Sequence, residues 1–228
     1  AKLIIPWGMN WITTKMPDSH WMTEARIKGA KIAAVTVEYS ATASKCDDVA
    51  IIRPGSDPAF ALGLAQVIIS KNLHDKDWVA KNTDLPFLIR TDTLQPLRPQ
   101  DVIEGYQAPE LATLKFLKKG EKLPPGSKGL QSAPEKMKSD FQPYLVMNRN
   151  GSLATVTRDD FGANFDKLGL APKLSVSTTV KLLDGSTVKV RSSFNMIEEY
   201  LNKNFTPSKT SAITGCPAKG IVKFAEMI

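Results

Sequence analysis

Residues 2–29, KLIIPWGMNWITTKMPDSHWMTEARIKG, contain the turn from strand to helix that decides the fold. The apolar run at 3–6 predicts a short buried strand, and residues 17–26 predict a helix with proline in its first turn. The loop between them, WGMNWITT at 7–14, contains Gly8 but lacks the full glycine fingerprint of a nucleotide loop. A strand that breaks at a glycine and leads into a helix presents backbone N–H groups that suit an anion.

The next elements continue the alternation of strand and helix. The strand predicted at 31–39, KIAAVTVEY, is almost continuously apolar, as expected for a strand covered on both faces. The other elements predicted here are strands at 48–54 and 86–90, a short helix at 77–81, and a longer helix whose N-cap is Ser56 or Asp57 and whose first turn contains Pro58. These spacings predict an α/β fold with a parallel, Rossmann-like sheet and flanking helices, which binds ligands at the carboxyl ends of its strands.

The pattern changes twice along the chain. We predict that 1–104 form the α/β subdomain, that the Gly-, Pro- and Lys-rich residues 105–140 form a surface excursion or linker, and that 141–228 form a smaller hairpin-rich α+β part. Two hairpins with type I′ turns are predicted in that last part, at Asn150-Gly151 and at Asp184-Gly185. A helix is predicted at 194–202, and a last helix is expected to have Thr214 as its cap and Pro217 near its first position.

Composition excludes several classes of protein. The 228 residues are 42% hydrophobic and 23% charged, which is ordinary for a globular chain, and no run of about 18 apolar residues is present to span a membrane. Neither a basic start nor a cleavage site of a signal peptide is seen, and the abrupt ends suggest a piece of a longer polypeptide. The net charge of +7 arises largely from residues 115–138, where no interleaved aromatic residues support stacking on bases, so a solvated basic loop is favoured over nucleic-acid binding.

No catalytic or metal-binding constellation is legible in the sequence. Cys46 and Cys216 lie far apart and are expected to be small buried residues rather than zinc or iron–sulfur ligands. His20 is expected to form a structural hydrogen bond, and His74 is expected near a helix end at the surface. We therefore predict no catalytic residue and no protein-bound metal in this chain.

Three loops leave the carboxyl ends of the first three predicted strands: WGMNWITT (7–14), EYSATASKC (38–46) and PGSD (54–57). In a parallel sheet these loops lie together on one edge. Gly8 and Gly55 allow the backbone to approach a ligand closely. The neutral side chains that suit phosphate oxygens are those of Asn10, Thr13, Thr14, Ser40 and Thr42.

Two acidic residues add the remaining parts of a nucleotide site. Glu38 ends the second strand, where dinucleotide folds place an acidic residue on the ribose, and the Asp57 carboxylate is suited to accept two N–H donors from a guanine edge. The plainer interpretation is equally open at this stage: Asp57 as a helix cap, Glu38 as the solvated end of a strand and Gly8 as a turn. The sequence lacks both G-x-G-x-x-G and G-x-x-x-x-G-K-[ST], which argues against an ordinary NAD or P-loop site.

The ordered series in residues 8–70 resembles a known family. The Asn loop, PDSH (17–20), TEARIKG (23–29) and PGSD (54–57) occur in the same order in the molybdopterin oxidoreductases of the dimethyl sulfoxide reductase type. The resemblance is greatest to the alpha subunits related to nitrite oxidoreductase and respiratory nitrate reductase. It is strongest over 3–104 and weaker over 141–228.

The resemblance implies a cofactor and a role for each loop. The expected cofactor is bis(molybdopterin guanine dinucleotide) with molybdenum, with Asn10 and its neighbours at the phosphates, Glu38 at the ribose and Asp57 at the guanine. The complete set of residues expected to contact it is Gly8, Asn10, Trp11, Thr13, Glu38, Tyr39, Gly55, Ser56 and Asp57. Where the family more often has Pro-Asp this chain has Val37-Glu38, and where the family has Thr it has Ser56.

The resemblance also implies what lies outside this chain. An iron–sulfur cluster and the protein ligand to molybdenum are expected upstream, together with an iron–sulfur beta subunit, a haem or membrane subunit, and a membrane-associated complex on the cytoplasmic or periplasmic side. The expected reaction exchanges an oxygen atom and two electrons with a small oxyanion, with nitrite oxidation favoured over nitrate reduction. The alternatives are a non-catalytic nucleotide-binding module and, less favoured, a nicotinamide dehydrogenase domain.

Overall fold

The computed structural model describes residues 1–228, which divide into two compact units. The first unit comprises Ala1–His74 and Glu198–Ile228, and the second comprises Asp75–Ile197. The strands are β1 (Leu3–Ile4), β2 (Lys31–Thr36), β3 (Asp48–Ile51), β4 (Leu88–Arg90), β5 (Leu114–Leu117), β6 (Gln131–Pro134), β7 (Tyr144–Met147), β8 (Leu153–Val156), β9 (Ser177–Lys181) and β10 (Thr187–Ser192). The helices are α1 (Trp11–Thr14), α2 (Met16–Ile27), α3 (Asp57–Ser70), α4 (Lys76–Asn82), α5 (Ala163–Lys167), α6 (Ser193–Asn204), α7 (Pro207–Thr214) and α8 (Ala218–Met227).

The first unit contains the predicted parallel sheet. Its order is β1-β2-β3, and the register pairs Ile4 with Ile32 and Val35 with Ala50. The four residues 32–35 of the central strand are all buried, which confirms the expectation from their continuous apolar sequence. The predicted α/β class is therefore confirmed.

Helices from both ends of the sequence build the core of this unit. The side chain of Phe60 on α3 is fully buried and meets the Phe224 ring of α8 edge-on, with 5.7 Å between ring centroids. Gly63 lies where α3 and α7 pack, and a Cβ at that position would come within 2.5 Å of the Thr210 side chain. Burial of this apolar surface supplies the main stabilisation of the unit.

The end of the first unit corrects one prediction. Helix α7 was not expected, and Thr214 is its last residue rather than the cap of the following helix. Thr206 caps α7 through its hydroxyl oxygen, and Gly215 ends it with a φ of +78°. Pro217 is the N-cap of α8. The polar sequence of α7 has little helical periodicity, so its helical conformation depends on packing against α3.

The strand predicted at 86–90 belongs to a different sheet. It forms β4, in the second unit, and pairs antiparallel with β10, with Val190 opposite Arg90; β10 in turn pairs antiparallel with β9. The expectation that it continues the parallel sheet was wrong. Its partner lies about a hundred residues later in the chain, and an apolar run alone does not specify a partner at that distance.

Both predicted hairpins form, but their turns are not of type I′. Gly151 and Gly185 have φ values of +87° and +85°, whereas neither Asn150 nor Asp184 has a positive φ. In each turn the glycine N–H donates to the carbonyl three residues earlier, and the Asn or Asp side chain accepts from the N–H and hydroxyl of the following serine. The turns are thus of the three-residue kind in which a type I turn is followed by a left-handed glycine.

The segment 105–140 has structure of its own inside the second unit. Strands β5 and β6 form a separate parallel pair, and a 3₁₀ helix follows at Glu135–Phe141. The compact units therefore have other boundaries than the predicted segments, because residues 75–104 and 105–140 both lie in the second unit and residues 198–228 complete the first. None of the helices combines the length and the apolar composition that crossing a membrane requires.

Candidate functional site

The candidate site is formed by the three loops that follow β1, β2 and β3 in the first unit. Because the strands are parallel, the loops leave the same edge of the sheet. Side-chain hydrogen bonds connect the first loop to each of the other two. The convergence inferred from strand order is thus present in the structure.

Asn10 and Thr42 connect the first loop to the second. The Asn10 Oδ1 atom accepts from the Thr42 hydroxyl at 2.9 Å and from the Thr42 N–H at 3.3 Å, and the Thr42 oxygen accepts from the Ile12 N–H at 3.0 Å. Since a backbone N–H can only donate, the amide oxygen of Asn10 is the atom that faces Thr42. The Asn10 Nδ2 group, which has no hydrogen-bond partner in the protein, remains as a donor.

Thr42 has a different role from the one predicted. Its side chain is fully buried and its hydroxyl is used by Asn10 and Ile12, so it is not a free donor for a ligand. The Thr14 hydroxyl likewise donates to the carbonyl of Asn10. The sequence pattern predicts these threonines to be ligand donors, whereas the two hydroxyls stabilise the loops themselves.

Trp7 and Asp57 connect the first loop to the third. The Trp7 indole Nε1 donates to Asp57 Oδ1 at 2.8 Å. Ser56 occupies the N-cap of α3, and Asp57 is the first residue of the helix. The Asp57 side chain makes no capping hydrogen bond, so the plain interpretation of Asp57 as a helix cap does not hold.

Glycines keep the backbone of the first and third loops open. Gly8 has a φ of +65° and Gly55 a φ of +78°, conformations that other residues rarely adopt. A Cβ built at either position would meet no atom within 4 Å. The space beside both backbones is therefore free.

The other predicted site residues have varied environments. Tyr39 is 68% exposed, and Glu38 and Thr13 are also exposed. The Ser56 side chain is buried, and its hydroxyl donates to the Arg53 carbonyl at 2.6 Å. The indole nitrogen of Trp11 is buried without a hydrogen-bond partner, which leaves one unsatisfied donor within the first loop.

Sequence reasoning missed Trp7 and Arg53. Arg53 donates from Nη1 to the carbonyls of Ala212 and Ile213, at 2.7 and 3.0 Å, and thereby holds the third loop against the end of α7. A surface cavity of about 480 Å³ lies beside this loop; it is lined by Arg53, Pro54, Gly55, Ser56, Pro58, Ala59, Leu62, Phe205 and Ile213. These contacts join residues that are 50 to 160 positions apart, and no local motif signals them.

The histidine and the two cysteines near this unit's loops have structural environments. The structure contains no cluster of three His, Cys, Asp or Glu side chains suited to a metal ion. His20 hydrogen-bonds the Pro17 carbonyl through Nδ1 and lies against Trp21, as expected for a structural histidine. Burial raises the pKa of the Cys216 thiol, and burial together with the charge of Asp47 raises that of Cys46, so neither is an activated thiolate.

Comparison with known proteins gives several relatives, although no family model matches the chain. The chain is 33% identical over 226 residues to the perchlorate reductase subunit alpha of Dechloromonas aromatica, a match that takes in 99% of this chain and 23% of that protein. It is 29% identical over 277 residues to the respiratory nitrate reductase 1 alpha chain of Escherichia coli, with 99% of this chain and 22% of that protein covered. The chain thus spans less than a quarter of the length of these two relatives. Among solved structures, acetylene hydratase from Pelobacter acetylenicus matches at 14% identity with a TM-score of 0.45, over 99% of this chain and 16% of that one.

Proposed function

We propose that this chain, which belongs to the alpha subunits of the molybdopterin oxidoreductases of the dimethyl sulfoxide reductase type, is a segment that binds one guanine dinucleotide of the molybdenum cofactor. The observation that carries the proposal is the pair of hydrogen bonds that joins the three strand-end loops, Asn10 to Thr42 and Trp7 to Asp57. They bring a donor for phosphate and an acceptor for guanine to one edge of the parallel sheet.

The side chains at this edge have the chemistry that a guanine dinucleotide requires. Asn10 Nδ2 is a free donor, and the open backbones at Gly8 and Gly55 allow phosphate oxygens to come close. Asp57 uses one carboxylate oxygen for Trp7, and its other oxygen has no partner. We assign Asn10, Trp11 and Thr13 to the phosphates, Glu38 and Tyr39 to the ribose side, and Asp57, with Gly55 and Ser56, to the guanine.

The reacting centre is supplied by the cofactor. When bound, the molybdenum provides the exchange of an oxygen atom and two electrons, and the residues of this chain hold and orient the dinucleotide. We assign the protein ligand to molybdenum and the iron–sulfur cluster to other parts of the subunit, as the resemblance implies. The chain alone is therefore expected to be inactive.

We assign the substrate to the class of small oxyanions. The relatives are named for perchlorate and nitrate, and both are named reductases. Those names favour oxyanion reduction, whereas nitrite oxidation, the direction favoured by the sequence resemblance, has no support among them. Assays of the purified complex with nitrate and a reduced dye, and with nitrite and an oxidised dye, distinguish the two directions.

We also propose partner subunits. The relatives are named as alpha subunits or chains, and such names imply further subunits. An iron–sulfur beta subunit and a haem or membrane subunit are the partners that the resemblance implies, in a membrane-associated complex on the cytoplasmic or periplasmic side. Co-purification with a tagged alpha subunit tests this part of the proposal.

The central test measures the cofactor in the full-length alpha subunit purified from its source. Molybdenum is determined by mass spectrometry and guanine by the GMP released on acid hydrolysis. Asn10→Ala and Asp57→Asn are expected to lower both contents several-fold relative to wild type. Asp18→Asn, at an exposed position in the first turn of α2, is the matched control and is expected to leave them unchanged.

Two results would contradict the proposal. Wild-type contents of molybdenum and GMP in both site variants would exclude these loops as the dinucleotide site. A native complex without molybdenum or pterin would favour the alternative of a non-catalytic nucleotide-binding module.

A further inference from the structure

We propose that Trp7 is a positioning residue that fixes the carboxylate of Asp57 and thereby sets the selectivity of the site for guanine over other bases. The inference rests on the proposed function and goes beyond it, because Trp7 is not among the residues assigned to the cofactor. It starts from the 2.8 Å hydrogen bond between the Trp7 indole Nε1 and Asp57 Oδ1, which joins residues 50 positions apart.

The indole is held from two sides. Its ring meets the fully buried Phe60 edge-on at 5.8 Å between centroids, and Phe60 in turn packs against Phe224 in the same manner. The backbone on either side of Trp7 is tied to β2, since Val35 donates to the Pro6 carbonyl and Gly8 donates to the Val35 carbonyl at 2.8 Å. The N–H of Trp7 is therefore presented in a fixed direction by the core and the sheet.

This fixed donor decides what Asp57 offers to a ligand. Asp57 forms no ion pair, and Trp7 is its one hydrogen-bond partner through the side chain. Each oxygen of an ionised carboxylate has two acceptor sites, so the indole N–H occupies one site on Oδ1 and fixes the plane of the group, while the second site on Oδ1 and both sites on Oδ2 remain for a ligand.

A carboxylate fixed in this way favours a ligand with two adjacent N–H donors. The guanine edge has them, at N1 and at the exocyclic amine. Hypoxanthine lacks the amine, and adenine places an acceptor where guanine has the N1 donor. Without the indole N–H, the carboxylate rotates freely about its Cβ–Cγ bond. This rotation weakens the two simultaneous hydrogen bonds to guanine more than the one hydrogen bond to hypoxanthine.

The test uses the full-length alpha subunit in its cofactor-free form, titrated calorimetrically with GDP, IDP and ADP. The wild type is expected to bind GDP about tenfold more tightly than IDP, the size expected for one hydrogen bond to a charged group. Trp7→Phe keeps the ring against Phe60 but removes the N–H, and it is expected to lower the GDP-to-IDP ratio about threefold or more. Trp21→Phe, on the exposed Trp21 of α2, is the matched control and should leave the ratio unchanged.

Asp57→Asn separates this inference from the proposed function. It should abolish the preference for GDP, and the double variant with Trp7→Phe should show no further loss, because Trp7 acts through Asp57. If Asp57→Asn abolishes the preference and Trp7→Phe leaves it intact, the role of Trp7 is refuted while the guanine site stands. If neither variant changes the preference, or if the wild type does not bind GDP, the guanine site itself is refuted.

A second variant covers the case in which Trp7→Phe fails to fold. Phe60→Leu leaves Asp57 and the indole N–H in place but removes the ring against which the indole packs. A lower GDP-to-IDP ratio in folded Phe60→Leu supports positioning by Trp7. A wild-type GDP-to-IDP ratio in this variant overturns it.

Discussion

The chain contains two sets of parallel strands, and they differ in how they are supported. In the first unit, β2 lies between two neighbours and four of its six residues are buried. In the second unit, β5 and β6 pair only with each other, and no residue of β6 is fully buried. Parallel pairing of the backbone is the same in both, so the difference lies in the packing. Helices α2 and α8 contact the first sheet, whereas only the short 3₁₀ helix at Glu135–Phe141 packs on both β5 and β6.

The loops of the two sets differ in the same way. The loops after β1, β2 and β3 are joined to each other by the side chains of Trp7, Asn10 and Thr42. The β5–β6 pair is instead tied at its start by Asp159, whose carboxylate accepts from the N–H groups of Ala112 and Thr113 and from the Thr113 hydroxyl. A covered sheet with connected loops provides the rigid support that a binding site needs.

The largest effect is expected from a substitution in the core that supports the first sheet. Phe60→Ala removes a fully buried ring and should lower the local stability by about 3–5 kcal/mol. Phe116→Ala in β5 removes a ring that is only partly buried and should cost about 1 kcal/mol. Hydrogen exchange of peptides covering 31–36 and 114–117 measures both, and equal losses would contradict the contrast between the two sets of strands.

The helix packing above the first sheet should respond with opposite signs at two glycines. Gly63→Ala places a methyl group within 2.5 Å of Thr210 and should destabilise by about 1–3 kcal/mol. Gly220→Ala in α8 meets only the Cys216 sulfur at an ordinary 3.5 Å and should stabilise by up to about 1 kcal/mol, because alanine favours a helix. Urea denaturation gives both values, and a stabilising Gly63→Ala would show that α3 and α7 do not pack this closely.

The connection between the first two loops should be broken by Thr42→Val. The change leaves the Ile12 N–H without its acceptor and Asn10 with one donor fewer, at a cost of about 1–3 kcal/mol. The molybdenum and GMP contents of the full-length subunit should also be lower in Thr42→Val, because the Asn10 side chain loses a hydrogen bond that orients it. Thr179→Val, on the exposed side of β9, is the control and should change stability by less than about 0.5 kcal/mol.

The smallest expected effect concerns Asp159. Burial raises the pKa of its carboxyl, but the hydrogen bonds from Thr113 and Ala112 outweigh burial and hold the pKa below its usual 3.8. The stabilisation is therefore complete above the usual pKa and is lost as the pH falls below 3.8 toward the lowered pKa. In the wild type, hydrogen exchange at 112–117, corrected for intrinsic rates, should become faster as the pH falls through this range. In Asp159→Asn the corrected exchange rate should not depend on pH in this way. Asp140→Asn is the exposed control, and a pH dependence that persists in Asp159→Asn would assign it to another group.

The sequence predicts those parts of the fold that depend on local order. Pro58 after Ser56 marks the start of α3, and the apolar run through Ala33 and Val35 marks the buried central strand. Both features are specified by residues that are neighbours in the sequence. The three strand-end loops follow from that order, and so does their convergence at one edge.

The parts that the sequence does not predict depend on distant partners. The antiparallel pairing of Arg90 with Val190, the helix that ends at Thr214 and the hydrogen bond from Trp7 to Asp57 all depend on residues far apart in the chain. The prediction of the hairpin turn type was wrong for a local reason. Asn-Gly and Asp-Gly suit a type I turn that ends in a left-handed glycine as well as they suit a type I′ turn. Within the site, the sequence predicts Thr42 to be a ligand donor, because the partners of its buried hydroxyl, Asn10 and Ile12, are not visible in the sequence.

The discontinuous first unit has a consequence for biosynthesis. The hydrogen bond between Arg53 and Ala212 spans 159 residues, and the core around Phe60 is completed only by Ile221 and Phe224. At translation rates of about 5–20 residues per second, the early strands therefore wait roughly 10–30 s on the ribosome before the helices that cover them emerge. During that interval the apolar face of β2 and α3 is open, and chaperone binding to the nascent chain should be strongest there.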